Sequence, residues 1–347
     1  MNFNKIVLAF DSYKGCLSSK DVAEAAAEAI KDSCPGCRTI ILPVADGGEG
    51  TVEALVDYLG GEMVTAKVSD PLGREITAVF GIAGRLAIIE SAAACGLTLL
   101  SKEERNPLNT STRGLGELIL AAIGKGCTKF VIGLGGSATN DGGRGMVETP
   151  GLLEKAKGLD FTIACDVDNP FIGPRGASRI FGPQKGAGPE DVEVLEKRLS
   201  DYALEILDET GTDVRDMPGA GAAGGLGGAF KAFFNARLQR GIDMVLDAIG
   251  FQDEITGADL IITGEGCSDR QTLMGKCASG VLEHSNGIPV VLMSGNIKDA
   301  ESLKKAGFKA LIIVSPDTMS LSEAMQPETA RQNIKTALKD YLEHKLH

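Results

Sequence analysis

The chain has 347 residues, 43% of them hydrophobic and 24% charged, which is typical of a globular protein large enough for two domains. Its formal net charge of −12 argues against nucleic acids and anionic membrane surfaces as partners. A small anionic ligand is not excluded, because backbone amides, a few lysines and a divalent cation would hold one. The first apolar run is too short for a signal sequence or a membrane span, so we expect a cytoplasmic protein with reduced cysteines.

Short apolar runs alternate with helical patterns along most of the chain. Buried strands separated by amphipathic helices are typical of parallel sheets, so the sequence predicts an α/β fold. In chain order we predict strands at 6–10, 39–44, 63–69, 75–81, 86–91, 130–134, 161–164, 260–263, 290–294 and 311–314, and helices through 22–30, 115–123 and 192–207.

Three successive strand-like runs, with a Pro-Leu-Gly turn at 71–73, interrupt this alternation between 63 and 91. A local antiparallel segment inside an α/β protein indicates a second domain inserted into the first. We therefore predict a Rossmann-like or flavodoxin-like parallel-sheet domain made of residues 1–60 and 250–347, with an inserted α/β domain at 61–249.

Five polar, glycine-dense loops carry carboxylates and amides, more than turns alone require. Ligands of parallel α/β sheets bind beyond the carboxyl ends of the strands, where glycine lets backbone N–H groups approach a phosphate. The loops are 11–15, 46–50, 135–143, 166–170 and 264–266.

The third loop is predicted to bind phosphate. Asp141 within it would hold Mg²⁺ or accept a proton from a substrate hydroxyl, and the alternative is that it caps the following helix. The candidate phosphate-binding residues of this loop are Gly135, Gly136, Ser137, Thr139 and Asn140.

The first two loops differ in how specific they are. Asp11 and Lys14 follow the first strand, where they would either serve a site, together with Ser12, or cap a helix and face solvent. Two acids flanking two glycines are a more specific pattern, suited to a cation or a hydroxylated substrate. That second group is Asp46, Gly47, Gly48 and Glu49.

Later loops add two lysines, Lys185 and Lys276, either of which would neutralise a transferring phosphoryl group or simply face solvent. Asp166 is a further candidate base or metal ligand. The remaining candidate binding residues are Asn169, Gln184, Glu265, Asp269 and Gln271.

Several common site patterns are absent or weak. The G-x-G-x-x-G match at 219–224 follows a polar, proline-containing segment rather than a buried strand, so a close-packed helix start is preferred to a dinucleotide site. No G-x-x-x-x-G-K-[ST] occurs, and the three histidines lie outside the loops. Phosphoryl transfer suits the remaining Asp, Glu, Lys, Ser and Asn side chains, since it depends on positioning and charge neutralisation.

In this order the motifs resemble the bacterial glycerate kinase family, type I. The resemblance implies ATP- and Mg²⁺-dependent phosphorylation of D-glycerate, at the 2-hydroxyl, by two α/β domains. The matching segments are DSYKG at 11–15, ADGGEGT at 45–51, GGSATNDGG at 135–143, ACDVDNP at 164–170, FGPQKG at 181–186, GAGAAGG at 219–225 and TGEG at 263–266.

The chain departs from the family chiefly at 146–160, where a strand-containing segment is usual and this sequence is much shorter. The predicted catalytic residues are Asp46, Asp141, Asp166, Lys14 and Lys185, and the predicted Mg²⁺ ligands are Asp141, Asp166 and Glu265. Two other functions stay open: a nicotinamide-dependent hydroxy-acid dehydrogenase, which requires a strand before Gly219, and a non-catalytic sensor of phosphorylated metabolites.

Overall fold

The structure is a computed structural model, and it describes residues 3–45, 50–316 and 318–346. The chain divides into two compact units: unit 1, made of Met1–Asp46 and Val245–His347, and unit 2, made of Gly47–Met244. A discontinuous α/β domain with a second α/β domain inserted into it, as the sequence predicts, is therefore confirmed.

The elements follow one another in the alternation that the sequence indicates. The strands are β1 (Lys5–Phe10), β2 (Arg38–Ile41), β3 (Glu62–Ser69), β4 (Glu75–Ala83), β5 (Leu86–Glu90), β6 (Lys129–Gly133), β7 (Asp160–Ala164), β8 (Arg237–Gln239), β9 (Leu260–Gly264), β10 (Cys267–Ser268), β11 (Val290–Ser294), β12 (Asn296–Ile297) and β13 (Ala310–Ile313). The α-helices are α1 (Ser19–Ser33), α2 (Thr51–Tyr58), α3 (Ala92–Cys95), α4 (Arg113–Gly124), α5 (Arg144–Val147), α6 (Leu152–Ala156), α7 (Ala177–Phe181), α8 (Pro189–Thr210), α9 (Ala222–Phe234), α10 (Gly241–Ala248), α11 (Phe251–Ile255), α12 (Cys277–Glu283), α13 (Ala300–Ala306), α14 (Leu321–Ala324) and α15 (Pro327–Leu346).

Unit 1 is built on a five-stranded sheet in the order β13-β11-β9-β1-β2, with every neighbouring pair parallel. If the five strands of this sheet, β1, β2, β9, β11 and β13, are numbered 1 to 5 along the chain, their order is the flavodoxin-like 2-1-3-4-5. Strand β1 is central, and its residues from Ile6 to Phe10 are at most 1% exposed, which explains their continuous apolar run. Helices α1 and α15 cover this sheet with the apolar stripes that end in Ile30 and Leu342.

Unit 2 contains a six-stranded sheet in the order β3-β4-β5-β6-β7-β8. Its first three strands are antiparallel and the rest parallel, so the predicted local antiparallel segment forms one edge of a mixed sheet. Phe130 and Phe161 stack in its core with ring centroids 4.6 Å apart, and Phe234 meets Phe161 edge-on.

The unit boundaries fall at 46/47 and 244/245, rather than at 60/61 and 249/250 as the sequence predicts. Helix α2 explains the first difference, since it packs against β4 and β5 of unit 2. The Cβ of an alanine at Gly81 of β4 would lie 2.2 Å from Val56 of α2, so the helix and the sheet are in direct contact. The sequence does not reveal this contact, because it joins residues far apart in the chain.

The described helices include none that is both long and apolar enough to cross a membrane.

Candidate functional site

A cavity of about 690 Å³ lies in unit 1 beyond the carboxyl ends of β1, β9, β11 and β13. In a sheet of order 2-1-3-4-5 the topological switch point lies between β1 and β9, and ligands bind there. The cavity is lined by Asp11, Ser12, Tyr13, Lys14, Cys16, Glu265, Gly266, Cys267, Lys276, Gly295, Asn296, Lys298, Ser315, Pro316, Met319, Leu321, Ala324 and Met325.

Glu265 is the most buried acid of this cavity, at 8% exposure. Its Oε1 accepts hydrogen bonds from the Thr272 hydroxyl at 2.6 Å and from the Ser268 hydroxyl at 3.1 Å, and Lys276 Nζ lies 3.3 Å from Oε2. Ser268 in turn pairs with Ser294 at 2.7 Å. The carboxylate is thus fixed by two hydroxyls on one oxygen, while its other oxygen faces a lysine.

The loop after β1 is held against β9 and β11 by backbone contacts. The Asp11 amide donates to the Gly264 carbonyl at 3.0 Å, and the Asp11 carboxylate accepts from the Ser12 amide at 2.7 Å. Tyr13 donates its hydroxyl to the Met293 carbonyl at 2.9 Å, and burial raises the pKa of Tyr13 well above its ordinary value. Tyr13 is therefore a neutral anchor of the loop.

A short parallel pair, β10 with β12, joins the loops that follow β9 and β11. Gly295 is needed at this junction, because a Cβ there would lie 2.5 Å from the Gly266 carbonyl oxygen. The two loops therefore form one continuous wall of the cavity.

Three lysines, Lys14, Lys276 and Lys298, line the cavity together with two acids. Lys14 and Lys276 are predicted from the sequence, and Lys298 is not. The five lining residues from Pro316 to Met325 are not predicted from the sequence, because they are apolar and belong to no glycine-rich loop.

Two other predicted binding residues, Asp269 and Gln271, do not line this cavity. Asp269 caps the short 3-10 helix Arg270–Leu273 by accepting from the Gln271 amide at 2.7 Å. Gln271 is exposed, and neither residue is part of the cavity lining.

In unit 2, Lys185 is buried behind the loop 135–143 rather than exposed on it. At 2% exposure its ammonium donates to the Thr139 carbonyl at 2.6 Å and to the Ser137 hydroxyl at 2.9 Å. Burial lowers the pKa of Lys185 from 10.5 to about 7, and the nearby charge of Asp141 opposes that effect. The Lys185 side chain therefore stabilises the loop and does not face solvent.

The Asp141 carboxylate accepts hydrogen bonds at the starts of two helices. Its Oδ2 accepts from the Thr112 amide at 2.8 Å, the Thr112 hydroxyl at 2.9 Å and the Gly145 amide at 3.1 Å, and its Oδ1 accepts from the Gly143 amide at 3.0 Å. These donors tie the starts of α4 and α5 together. Four protein donors contact the carboxylate, as the capping alternative requires, and a role of Asp141 as base or metal ligand stays a prediction.

The rest of this loop is mostly inward-facing. Gly135 and Gly136 are exposed, whereas Ser137, Thr139 and Asn140 are buried. Asn140 donates to the Ser178 hydroxyl at 3.0 Å, and its Oδ1 and the Thr139 hydroxyl have no partner among the described residues. A second cavity, of about 340 Å³, includes Asn140 and Asp141 in its lining.

Asp166 and Asn169 form hydrogen bonds with backbone groups of other segments. Asp166 is exposed and accepts from the Gly241 amide at 2.9 Å, at the start of α10. Asn169 donates to the Arg175 carbonyl at 2.7 Å, and Gln184 is exposed. None of these three lines either cavity.

The G-x-G-x-x-G match is a close-packed helix start, as we predict from the sequence. Residues 213–218 form no strand, and a Cβ at Gly224 would lie 2.1 Å from the Thr139 carbonyl oxygen. The Gly142 amide donates to the Gly224 carbonyl at 2.9 Å. The start of α9 therefore lies directly on the loop 135–143, which leaves no dinucleotide fingerprint for the dehydrogenase hypothesis.

The predicted metal ligands do not form a ready-made centre. Asp141 and Asp166 belong to unit 2 and Glu265 to unit 1, and each accepts hydrogen bonds from protein donors. In the part of the chain that the structure describes, no three His, Cys, Asp or Glu side chains are grouped so as to hold a metal ion. Asp46, Gly47, Gly48 and Glu49 lie outside the described residues.

Comparison with known proteins gives one consistent family. The model of the glycerate kinase family matches residues 6–154 and 147–344. The chain is 43% identical to a glycerate kinase of Bacillus subtilis and 41% identical to glycerate 2-kinase of Escherichia coli K12, each over 93% of both chains. A crystal structure assigned as glycerate kinase 2 of Salmonella typhimurium LT2 superimposes with a TM-score of 0.87 at 39% identity, covering 99% of this chain and 98% of that one.

The two matched segments overlap at residues 147–154, within the stretch where the sequence departs from the resemblance. Here α5 and α6 are joined by a turn of four residues, 148–151, and the chain through it is continuous.

Proposed function

The chain belongs to the glycerate kinase family, and from that premise we propose that it transfers the γ-phosphoryl group of ATP to the 2-hydroxyl of D-glycerate. Membership makes the protein an enzyme of the kinase class. The observation that best supports the proposal is the lysine-bearing cavity at the switch point of unit 1.

In the proposed reaction the glycerate hydroxyl loses its proton to a carboxylate, its oxygen bonds to the γ-phosphorus, and the bond to the β-phosphate oxygen breaks to release ADP. Lys14 and Lys276 suit charge neutralisation, since both line the cavity. Glu265 holds Lys276 in place through the contact at 3.3 Å. Asp46 stays the predicted base, because Asp141 and Asp166 each have a positioning role.

Mg²⁺ would neutralise the β- and γ-phosphates, and it would arrive with the nucleotide, since this ion typically binds through one or two carboxylates plus substrate phosphates. Asp11 and Glu265 are the carboxylates of the cavity that fit that use. A cytoplasmic location stays a prediction from the sequence.

The proposal is tested by measuring ADP release from ATP, D-glycerate and Mg²⁺ by the purified protein. Direct coupling to enolase, without phosphoglycerate mutase, should report 2-phosphoglycerate as it forms. A signal that appears only after mutase is added would assign the 3-hydroxyl instead. No ADP release with D-glycerate or related hydroxy acids would contradict the proposal, and reduction of NAD⁺ in their presence would favour a dehydrogenase.

A further inference from the structure

We propose that the cavity of unit 1 is the nucleotide subsite, with the base on an apolar wall and the phosphates at the three lysines. We define the apolar wall as Pro316, Met319, Leu321, Ala324 and Met325. The identity of the nucleotide as ATP rests on the proposed function. The assignment of the subsite rests on the shape and chemistry of the cavity.

Part of the apolar wall is exposed to solvent, although Ala324 within it is buried. Leu321 is 76% exposed and Met325 37% exposed. The Met325 methyl group lies 3.3 Å from the position a Cβ would take at Gly15, so the wall reaches the loop after β1. Flexible methionines beside a leucine suit a flat aromatic base, because they adapt to its shape and its faces gain apolar contact.

The lining at the strand ends is charged, in contrast to the apolar wall. Among the described lining residues, the three lysines Lys14, Lys276 and Lys298 outnumber two acids, in a chain of net charge −12. Lys14 and Lys298 form no ion pair or side-chain hydrogen bond with any residue the structure describes, and the Lys276 side chain is 41% exposed. Two unpaired ammonium groups, and a third that is paired with Glu265 at 3.3 Å, suit a chain of phosphates at a parallel-sheet edge.

The size of the cavity also favours a nucleotide over glycerate. A volume of about 690 Å³ lies in the range of pockets for cofactor-sized ligands. Glycerate is a small hydrophilic acid that would leave most of this volume empty and has no apolar part for the wall. The lining changes from apolar to mixed to cationic, which matches in turn the base, the sugar and the phosphates of a nucleotide.

Equilibrium binding of a fluorescent ADP analogue, measured without glycerate, tests the subsite independently of turnover. Leu321→Ala and Met325→Ala should each weaken ADP binding about tenfold and raise the KM for ATP, while the KM for glycerate stays within twofold. Leu204→Ala is the matched control, because Leu204 is 55% exposed on α8 of unit 2 and should leave both constants unchanged.

The outcomes separate this inference from the proposed function. If the protein binds ADP through Leu321 and Met325 but does not phosphorylate glycerate, the subsite stands and the proposed reaction fails. If turnover is normal and the two substitutions raise the KM for glycerate alone, or change neither constant, the reaction stands and the subsite is overturned.

Thiol alkylation gives a second readout that needs no substitution. Cys267 is exposed and lines the cavity, whereas Cys37 lies outside it. ADP should slow alkylation of Cys267 at least fivefold, as measured by mass spectrometry of its peptide, and should leave Cys37 unaffected. Protection of Cys267 by glycerate but not by ADP would overturn the assignment.

Discussion

Asp141 illustrates how a residue that sequence patterns assign to chemistry is used by the fold. Its carboxylate lies at the start of two helices and accepts four hydrogen bonds, two of them from Thr112, a residue 29 positions earlier in the chain. Charge-assisted bonds of this kind are among the stronger ones in proteins. Asp141 therefore stabilises the loop 135–143.

Asp141→Asn should lower the free energy of unfolding by about 2–4 kcal/mol, because an amide offers one acceptor oxygen and turns its NH₂ group toward backbone donors. Where the variant is folded, kcat should stay within about threefold of the parent. Urea unfolding and steady-state kinetics measure the two effects. Asp201→Asn, at an exposed carboxylate of the same unit, is the control and should change neither. A hundredfold loss of kcat at unchanged stability would instead assign Asp141 a chemical role.

Lys185 gives the protein a characteristic pH dependence. Its pKa is about 7 in the folded state, against an ordinary value of 10.5. Between these values the unfolded chain binds one more proton than the folded chain, so this lysine makes stability rise with pH, by up to about 1.4 kcal/mol per pH unit. Its destabilising contribution is complete below about pH 7.

Lys185→Met should remove that slope. The difference in unfolding free energy between pH 7 and pH 8.5 should be smaller in the variant than in the parent, as measured by urea unfolding at both values. Lys197→Met, at an exposed lysine of α8, should leave the difference unchanged. An equal slope in parent and Lys185→Met would show that the buried ammonium does not titrate in this range.

At the scale of elements, the sequence predicts the strands and helices that carry long apolar patterns. Strand β1 and helix α1 are found where the pattern indicates, and α1 is capped by Ser18, whose hydroxyl accepts from the Asp21 amide. Strand β8 is missed, since its three residues are partly exposed and polar. The pair β10–β12 is missed because each strand has only two residues and depends on pairing with the other.

The candidate site is less predictable than the fold for a physical reason. Loop sequences show which groups are near the strand ends, but whether a group faces ligand or backbone depends on distant donors. Lys185 reaches Ser137 and Thr139 across more than forty positions, whereas Lys14 and Lys276 line a cavity. The apolar wall carries no motif, so only the folded structure reveals it.

Strand β9 approaches β11 so closely at Gly264 that a Cβ there would lie 1.6 Å from the Met293 carbonyl oxygen. Gly264→Ala should therefore separate the two strands and lower the free energy of unfolding by about 3 kcal/mol. Gly36→Ala is the control, since no atom lies within 4 Å of a Cβ at that turn, and it should change stability by less than about 0.5 kcal/mol. Equal melting temperatures for the two variants would contradict this packing.

At the scale of the whole molecule, each unit has a hydrophobic core of its own. The core of unit 2 includes the stacked phenylalanines of β6 and β7 and the apolar residues of α4 and α9, and a second cluster lies under α8. A unit with its own core and sheet has what a domain needs in order to fold alone.

A fragment of residues 50–240 should therefore unfold cooperatively in urea, with a near-UV circular dichroism signal in the native state. A fragment of residues 50–164 keeps β3–β7 but lacks α8, α9 and β8, so it leaves the core open and should show no cooperative transition. Gradual unfolding of the longer fragment would mean that unit 2 depends on unit 1 for its structure.

The strand order of unit 1 has a consequence for the order of events on the ribosome. Strand β1 lies between β2 and β9 in the sheet, and the roughly 200 residues of unit 2 are synthesised between β2 and β9. At about 5–20 residues per second, one of the two hydrogen-bonded neighbours of this apolar strand is delayed by roughly 10–40 s. Translation speed through unit 2 thus sets how long the nascent N-terminal segment stays available to chaperones.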